Sequence, residues 1–121
     1  METVYTPNAP EPLGPYSQAK KVGDLVFISG QIGIDPKTGK LAGDDIETQT
    51  KQVMAKLGAI LEAAGKGYKD VAKATCLLKN IDDFAKFNAI YGEYVVSKPA
   101  RSTFAATIPA GALVEVELIV G

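Results

Sequence analysis

Arg101 is the only arginine among 13 basic residues; the other 12 are lysines. It opens the run RSTFAA, directly after Lys98-Pro99-Ala100. A guanidinium is a rigid planar fork of five donors, permanently charged, and it matches a carboxylate through two parallel hydrogen bonds. Further on, LVEVELIV carries Glu115 and Glu117 two residues apart, on one side of a strand. On spacing alone, the arginine and a glutamate read as an ordinary salt bridge on a solvated sheet face, worth ~0–1 kcal/mol. The lysine bias argues for something more. A chain that uses lysine for every other positive charge has a reason to use the fork here. That reason would be a ligand carboxylate, with a glutamate nearby to move a proton or order a water.

Other polar groups sit in restricted settings. Tyr16 and Ser17 lie in GPYSQA (14–19), where the Gly-Pro pair limits the backbone and can aim the tyrosine hydroxyl; packing of Tyr16 over a sheet edge explains it equally simply. SGQI places Ser29, Gly30 and an amide inside an apolar strand, and Gly30 marks either a close approach to the backbone or a bulge. Asn88 falls beside an aromatic helical stripe, where a helix-edge hydrogen bond is its usual role.

Whole classes of chemistry are excluded. The chain has no histidine, hence no histidine base, no Ser-His-Asp triad and no histidine metal ligand. Its single cysteine, Cys76, permits no internal disulfide or Cys-rich zinc site and lies in an apolar run that suits the core. GIDPKTGK looks like a phosphate-binding loop, but Gly33 to Gly39 is one residue too long and Leu41 stands where Ser or Thr is needed. No site calls for a metal or cofactor.

The elements that must position these groups fit a single domain, residues 1–121, large enough for a core without staples. Thirteen basic residues against 14 acidic ones argue against a dedicated nucleic-acid binder. There is neither a signal-peptide pattern at the start nor an apolar run of membrane-spanning length, so the expectation is a cytoplasmic protein. TPNAPEPLGPY (6–16) reads as an ordered irregular loop. AKKVGDLVFISGQIGID reads as a hairpin turning at Val22-Gly23-Asp24, followed by a turn over residues 35–40. Asp44 with Glu47 resembles a capping box. Val53, Leu57, Ile60, Leu61 and Ala64 form a helical stripe that Gly65 ends. Residues 69–80 read as a strand. A second helix carries Phe84, Phe87, Tyr91 and Tyr94 on one face and stops before Pro99. ARSTFAAT and ALVEVELIV are the last strands.

The order β-β-α-β-α-β-β predicts an α+β two-layer sandwich with both helices on one face of the sheet. In the last strand, Val114, Val116, Leu118 and Val120 suit the helix side, leaving Glu115 and Glu117 opposite. In the preceding strand, Ser102, Phe104, Ala106 and Ile108 are the more apolar side, so Arg101 is expected on the helix-free face with the glutamates. If the hairpin strand adds Leu25, Phe27, Ser29 and Gln31 there, the face is too apolar for water and too polar for a plain core. A second subunit is expected to cover part of it.

Together GPYSQA, LVFISGQIGIDPKTGKL, LEAAG, KNIDDFAKFNAIYGEY, KPARST and GALVEVELI resemble the RidA family, also called YjgF/YER057c/UK114, over nearly the whole chain. The resemblance implies a chorismate-mutase-like fold and a homotrimer whose sheets form a central β-barrel, with ligand sites at the subunit interfaces. It implies hydrolytic deamination of 2-enamine and 2-imino acids, such as 2-aminoacrylate and 2-iminopropionate, to 2-ketoacids and ammonia. It assigns Arg101 to the substrate carboxylate, Glu115 to the water, and Tyr16, Ser29, Gly30 and Asn88 to the pocket. Thr103 matches a position whose backbone N–H faces the carboxylate. RSTFAATIP is one residue shorter than the family pattern, a change that reverses the facing of later residues unless a bulge absorbs it; Glu117 is therefore held in reserve for Glu115. The rival readings are a trimeric sensor of small carboxylates and, least favoured, an endoribonuclease or translation inhibitor.

Overall fold

The stripe at residues 53–64 forms the inner face of a helix, α1 (Ile46–Ala63), in the computed structural model, which describes residues 1–121. Val53, Leu57, Ile60 and Leu61 are buried, with Met54 beside them. The cap differs from expectation by one residue. Asp45, extended at φ −110°, accepts from both the backbone N–H and the hydroxyl of Thr48 at 2.8 Å, so the cap is Asp45–Thr48, not Asp44–Glu47. Gly65 ends the helix at φ +73°, its N–H donating to Glu62 O while that of Lys66 donates to Leu61 O. The second helix, α2 (Phe84–Tyr94), buries Phe87, Ile90 and Tyr91 and stops well ahead of Pro99.

Six strands form one mixed sheet: β1 (Glu2–Val4), β2 (Ala19–Val22), β3 (Leu25–Ile32), β4 (Val71–Leu78), β5 (Ala100–Ala105) and β6 (Val114–Val120). Their order is β1-β2-β3-β6-β4-β5; only the β4–β5 pair, joined through α2, is parallel. The sequence pattern predicts five strands. It misses β1, a three-residue edge strand pairing Glu2–Val4 with Ala19–Lys21, because three residues with one buried side chain carry no period to detect. The fold is α+β, with both helices applied to one face of the sheet. Val114, Val116, Leu118 and Val120 point into that core beside Val26, Ile28, Ala74, Cys76 and Leu78.

Two local features set the other face. Between Ile28↔Leu118 and Gln31↔Val116 the β3–β6 register slips by one, so Ser29 and Gly30 together form a bulge. Leu25, Phe27 and Ser29 lie on the helix-free face as expected, but the extra residue turns Gln31 to the helix side, where it is buried. The second feature is β5. Its parallel register opposes Ala74 to Arg101 and Cys76 to Thr103. Ala74 and Cys76 are core residues, so Arg101 and Thr103 face the helices. Ser102 and Phe104 face away, Phe104 half-exposed. The expectation that Arg101 shares a face with the glutamates is therefore wrong. The more apolar side of β5 is not its inner side, because the helix-free face is itself lined by Leu25, Phe27 and Phe104, each more than 40% exposed.

Candidate functional site

Arg101 leaves the edge strand β5 toward α2, and α2 is built to receive it. Phe84, Asn88 and Tyr91 recur at helical spacing on one side of the helix. Arg101 Nη1 donates to Asn88 Oδ1 at 2.6 Å. The guanidinium carbon lies 4.8 Å from the Tyr91 ring centroid and 5.4 Å from that of Phe84, both within cation–π range. These partners are neutral, so they fix the fork without neutralising it. Arg101, Asn88, Tyr91, Val96 and Lys98 line an open cleft of about 670 Å³. The Tyr91 hydroxyl is buried there without a hydrogen-bond partner, and burial pushes its pKa up, keeping it a proton donor. The Thr103 hydroxyl is likewise buried and unpaired.

Glu115 belongs to a different neighbourhood. It stands on β6 opposite Ile32 of β3 and Leu77 of β4, on the helix-free face. Its carboxylate packs against the bulge: a Cβ built on Gly30 would lie 2.8 Å from Glu115 Oε2. Burial, reinforced by the charge of Glu117, raises the Glu115 carboxyl above its usual range. Glu117, two residues on, is exposed and lines a shallow groove with Tyr16, Ser17, Phe27 and Ser29.

The segment carrying Tyr16 is tied to the bulge. Ser29 Oγ donates to Ser17 O at 2.6 Å, and Ser29 N–H donates to Gln18 O at 2.9 Å. Gln18, fully buried, holds the proline-rich stretch before it. Its amide nitrogen donates to Thr6 O, Ala9 O and Pro10 O, and its oxygen accepts from Thr6 N–H at 2.7 Å. Four hydrogen bonds from one buried amide thus anchor Thr6, Ala9 and Pro10, in a stretch without secondary structure.

One chain thus divides the sequence-predicted residues between two groups. Arg101, Asn88 and Thr103 lie at the α2–β5 edge. Tyr16, Ser29, Gly30 and Glu115 lie around the bulge on the opposite face. β4 stands between β6 and β5, so the strands carrying Glu115 and Arg101 are two strand spacings apart, ~10 Å. Sequence reasoning missed the aromatic seat of Arg101. The phase of Phe84, Asn88 and Tyr91 contains that signal, but an aromatic stripe on a helix reads first as core. No cluster of His, Cys, Asp and Glu suited to a metal occurs, and no helix is long and apolar enough to cross a membrane.

The mixed sheet with two helices on one side is a fold shared with known proteins. A family model described as Endoribonuclease L-PSP matches residues 6–121, and the chain belongs to that family. A RutC family protein of Pyrococcus horikoshii is 52% identical, with 98% of this chain and 95% of that protein aligned. A protein of Arabidopsis thaliana named Reactive Intermediate Deaminase A, chloroplastic, is 46% identical over 98% of this chain and 64% of its own length. A 2-iminobutanoate/2-iminopropanoate deaminase of Bos taurus is 42% identical over 96% of this chain and 86% of its own. Among solved structures, a putative endoribonuclease L-PSP from Entamoeba histolytica superposes with a TM-score of 0.94 at 53% identity, covering 98% of this chain and 97% of that one. The YjgF gene product of E. coli superposes with a TM-score of 0.92 at 37% identity, covering 99% and 98%.

Proposed function

We propose that this protein is an imine deaminase, hydrolysing 2-enamine and 2-imino acids to 2-ketoacids and ammonia. The observation that carries the reading is Arg101, a fork held by an amide and two aromatic rings with its charge unspent. Such a group is pre-organised for a small carboxylate. The names of the Arabidopsis and bovine relatives support the same chemistry.

In this mechanism Arg101 binds the substrate carboxylate, with the Thr103 N–H beside it. Glu115, whose carboxyl is shifted toward the protonated form by burial and by Glu117, gives its proton to the imine nitrogen. The carboxylate it becomes accepts a proton from the attacking water. Water oxygen bonds to the C=N carbon, and the resulting carbinolamine expels ammonia to leave the ketoacid. Tyr16, Ser29 and Gly30 line the site, and no cofactor enters the steps. Orientation with one acid–base group supplies ~10²–10⁴-fold, sufficient for a bond that already hydrolyses in water.

Arg101 and Glu115 of one chain are too far apart, and on the wrong faces, to hold one small molecule. The reading therefore requires a composite site in which the Arg101 group of one copy meets the Glu115 group of the next. The exposed Leu25, Phe27 and Phe104 support association through the helix-free faces. A homotrimer around a central barrel, in the chorismate-mutase-like manner, satisfies both demands.

The test is ketoacid release from 2-iminopropionate generated in situ, wild type against Arg101→Ala, after both proteins are shown to have the same oligomeric state. Acceleration by wild type alone supports the enzyme. Uncatalysed rates from both, with the assembly intact, end the deaminase reading and leave the carboxylate sensor as the better account.

A further inference from the structure

Lys56 projects from α1 toward the proline-rich segment and is 2% exposed, the only buried lysine among 12. It lines the most enclosed cavity of the chain, about 280 Å³, whose walls include Pro12, Leu13, Gly30, Ile32 and Pro109. Burial alone lowers its pKa to about 8, with no carboxylate contributing. Of the other titratable groups facing the cavity, Tyr16 is largely exposed, and Glu11 accepts the hydroxyl of Tyr5. An unpaired ammonium in a small apolar chamber is costly unless the amine sheds its proton or reacts. Lysines made nucleophilic by desolvation are the groups that capture carbonyl compounds.

We propose that this cavity is a covalent capture site in which the Lys56 amine takes small uncharged aldehydes as imines. The Nζ lone pair attacks the carbonyl carbon. The C–N bond forms as the C=O π pair moves to oxygen, which takes up a proton while nitrogen loses one, giving a carbinolamine. The hydroxyl takes a proton from solvent and leaves as water, and the second proton of the amine returns to solvent, leaving the imine. The sum is amine plus aldehyde to imine plus water, with no oxidant or reductant. The apolar walls and the Glu11 carboxylate at the cavity favour an uncharged aldehyde over an anionic one. Gly30 and Tyr16 are shared with the groups around Glu115, so an occupant reaches the wall of that neighbourhood. The inference stands on the cavity and the amine and does not depend on imine hydrolysis.

The experiment is reductive trapping. The full chain is incubated with propanal and cyanoborohydride at pH 7, and alkylation at each lysine is mapped by peptide mass spectrometry. At that pH the neutral amine fraction is about one tenth for a pKa near 8 and roughly one in three thousand for an ordinary lysine. Allowing for restricted access, Lys56 should be alkylated at least about ten times faster than Lys51, exposed on the same helix, and urea should abolish the preference. Equal labelling of Lys56 and Lys51 in the folded protein overturns the proposal. A parallel arm with glyoxylate tests the ligand class: a Lys56-to-Lys51 ratio as high as with propanal overturns the preference for uncharged carbonyls. Because mapping is done on the wild type, no variant has to fold for the answer to count.

Discussion

Gly30 and Glu115 are fitted to each other across the β3–β6 bulge: a methyl group at position 30 would stand 2.8 Å from Glu115 Oε2 and 2.9 Å from its carboxyl carbon. The glycine is there for space, since its backbone does not adopt positive φ. Gly30→Ala should push the Glu115 carboxylate from its seat. The contact is with the end of a flexible side chain, so the stability cost should stay within about 1 kcal/mol, typical of a mild substitution. Ketoacid release should fall by about 10²-fold, the lower end of what one acid–base group supplies. Thermal melting and steady-state rates on one preparation check both. Full activity in Gly30→Ala would remove Glu115 from the mechanism.

In the proposed mechanism Glu115 must be protonated to act first as an acid. Its carboxyl is raised by burial first and by Glu117 second. Activity should therefore decline as pH rises through a point above the usual carboxylate range. Glu117→Gln should move that decline to lower pH by removing the second cause, while Glu115→Gln should lower the rate and flatten the profile. Stability follows the same sign. A carboxyl raised on folding binds its proton more tightly when folded, so its contribution is present below the unfolded pKa and lost as pH rises through the folded one. Glu115→Gln should accordingly lose less stability than wild type across that window, as pH-dependent denaturation would record.

Arg101 is held through geometry as well as charge. Arg101→Lys keeps the charge but gives up the fork and most of the stacking on Tyr91 and Phe84. Its effect should fall mainly on KM, by about tenfold or more, equivalent to ~1.4 kcal/mol of lost binding. Asn88→Ala frees the guanidinium from its 2.6 Å bond and should raise KM less than Arg101→Lys does. Equal KM values in all three proteins would mean that Arg101 does not bind the substrate.

The helices and β6 were legible because their patterns are one-sided: Val53-Leu57-Ile60-Leu61 has a period near 3.6, and Val114-Val116-Leu118-Val120 alternates against glutamates. β5 was not, because RSTFAA offers small or polar groups on both sides and its apolar side faces away from the helices. Parallel register with β4 decides its facing, and register is a property of two strands. The Ser29–Gly30 bulge was foreseeable from a glycine in a strand, but its consequence, the inward turn of Gln31, depends on how β6 pairs. Lys56 did carry a signal. It lies three residues after Val53 and four before Ile60, on the apolar stripe, where an exposed lysine does not belong.

That placement has a pH signature in stability. Lys56 falls from 10.5 to about 8 on folding. Between those values the unfolded chain binds more protons than the folded one, so the Lys56 contribution to stability rises as pH increases from about 8 to 10.5. Lys56→Met keeps the side-chain length and removes the titration. It should be more stable than wild type at pH 7, by at most about 3 kcal/mol from the size of the shift, and the difference should shrink above pH 10. Urea denaturation at both pH values checks this. A difference that does not change with pH would mean that the amine is not desolvated.

The split between Arg101 and Glu115 yields the most direct test of a composite site. Arg101→Ala and Glu115→Ala chains should each be inactive alone. If every site draws Arg101 from one copy and Glu115 from its neighbour, a mixed assembly regains intact sites wherever a Glu115→Ala chain supplies the arginine and an Arg101→Ala chain supplies the glutamate. With equal amounts and random exchange in a closed ring, that pairing arises at about one site in four. Co-expression of the two variants should therefore restore about a quarter of wild-type activity, with assembly size unchanged. If both groups served a site within one chain, no mixture would contain an intact site and activity would stay at background. Because both outcomes use the same two proteins in the same assembly, a folding defect in either variant is detected by sizing before the rates are compared.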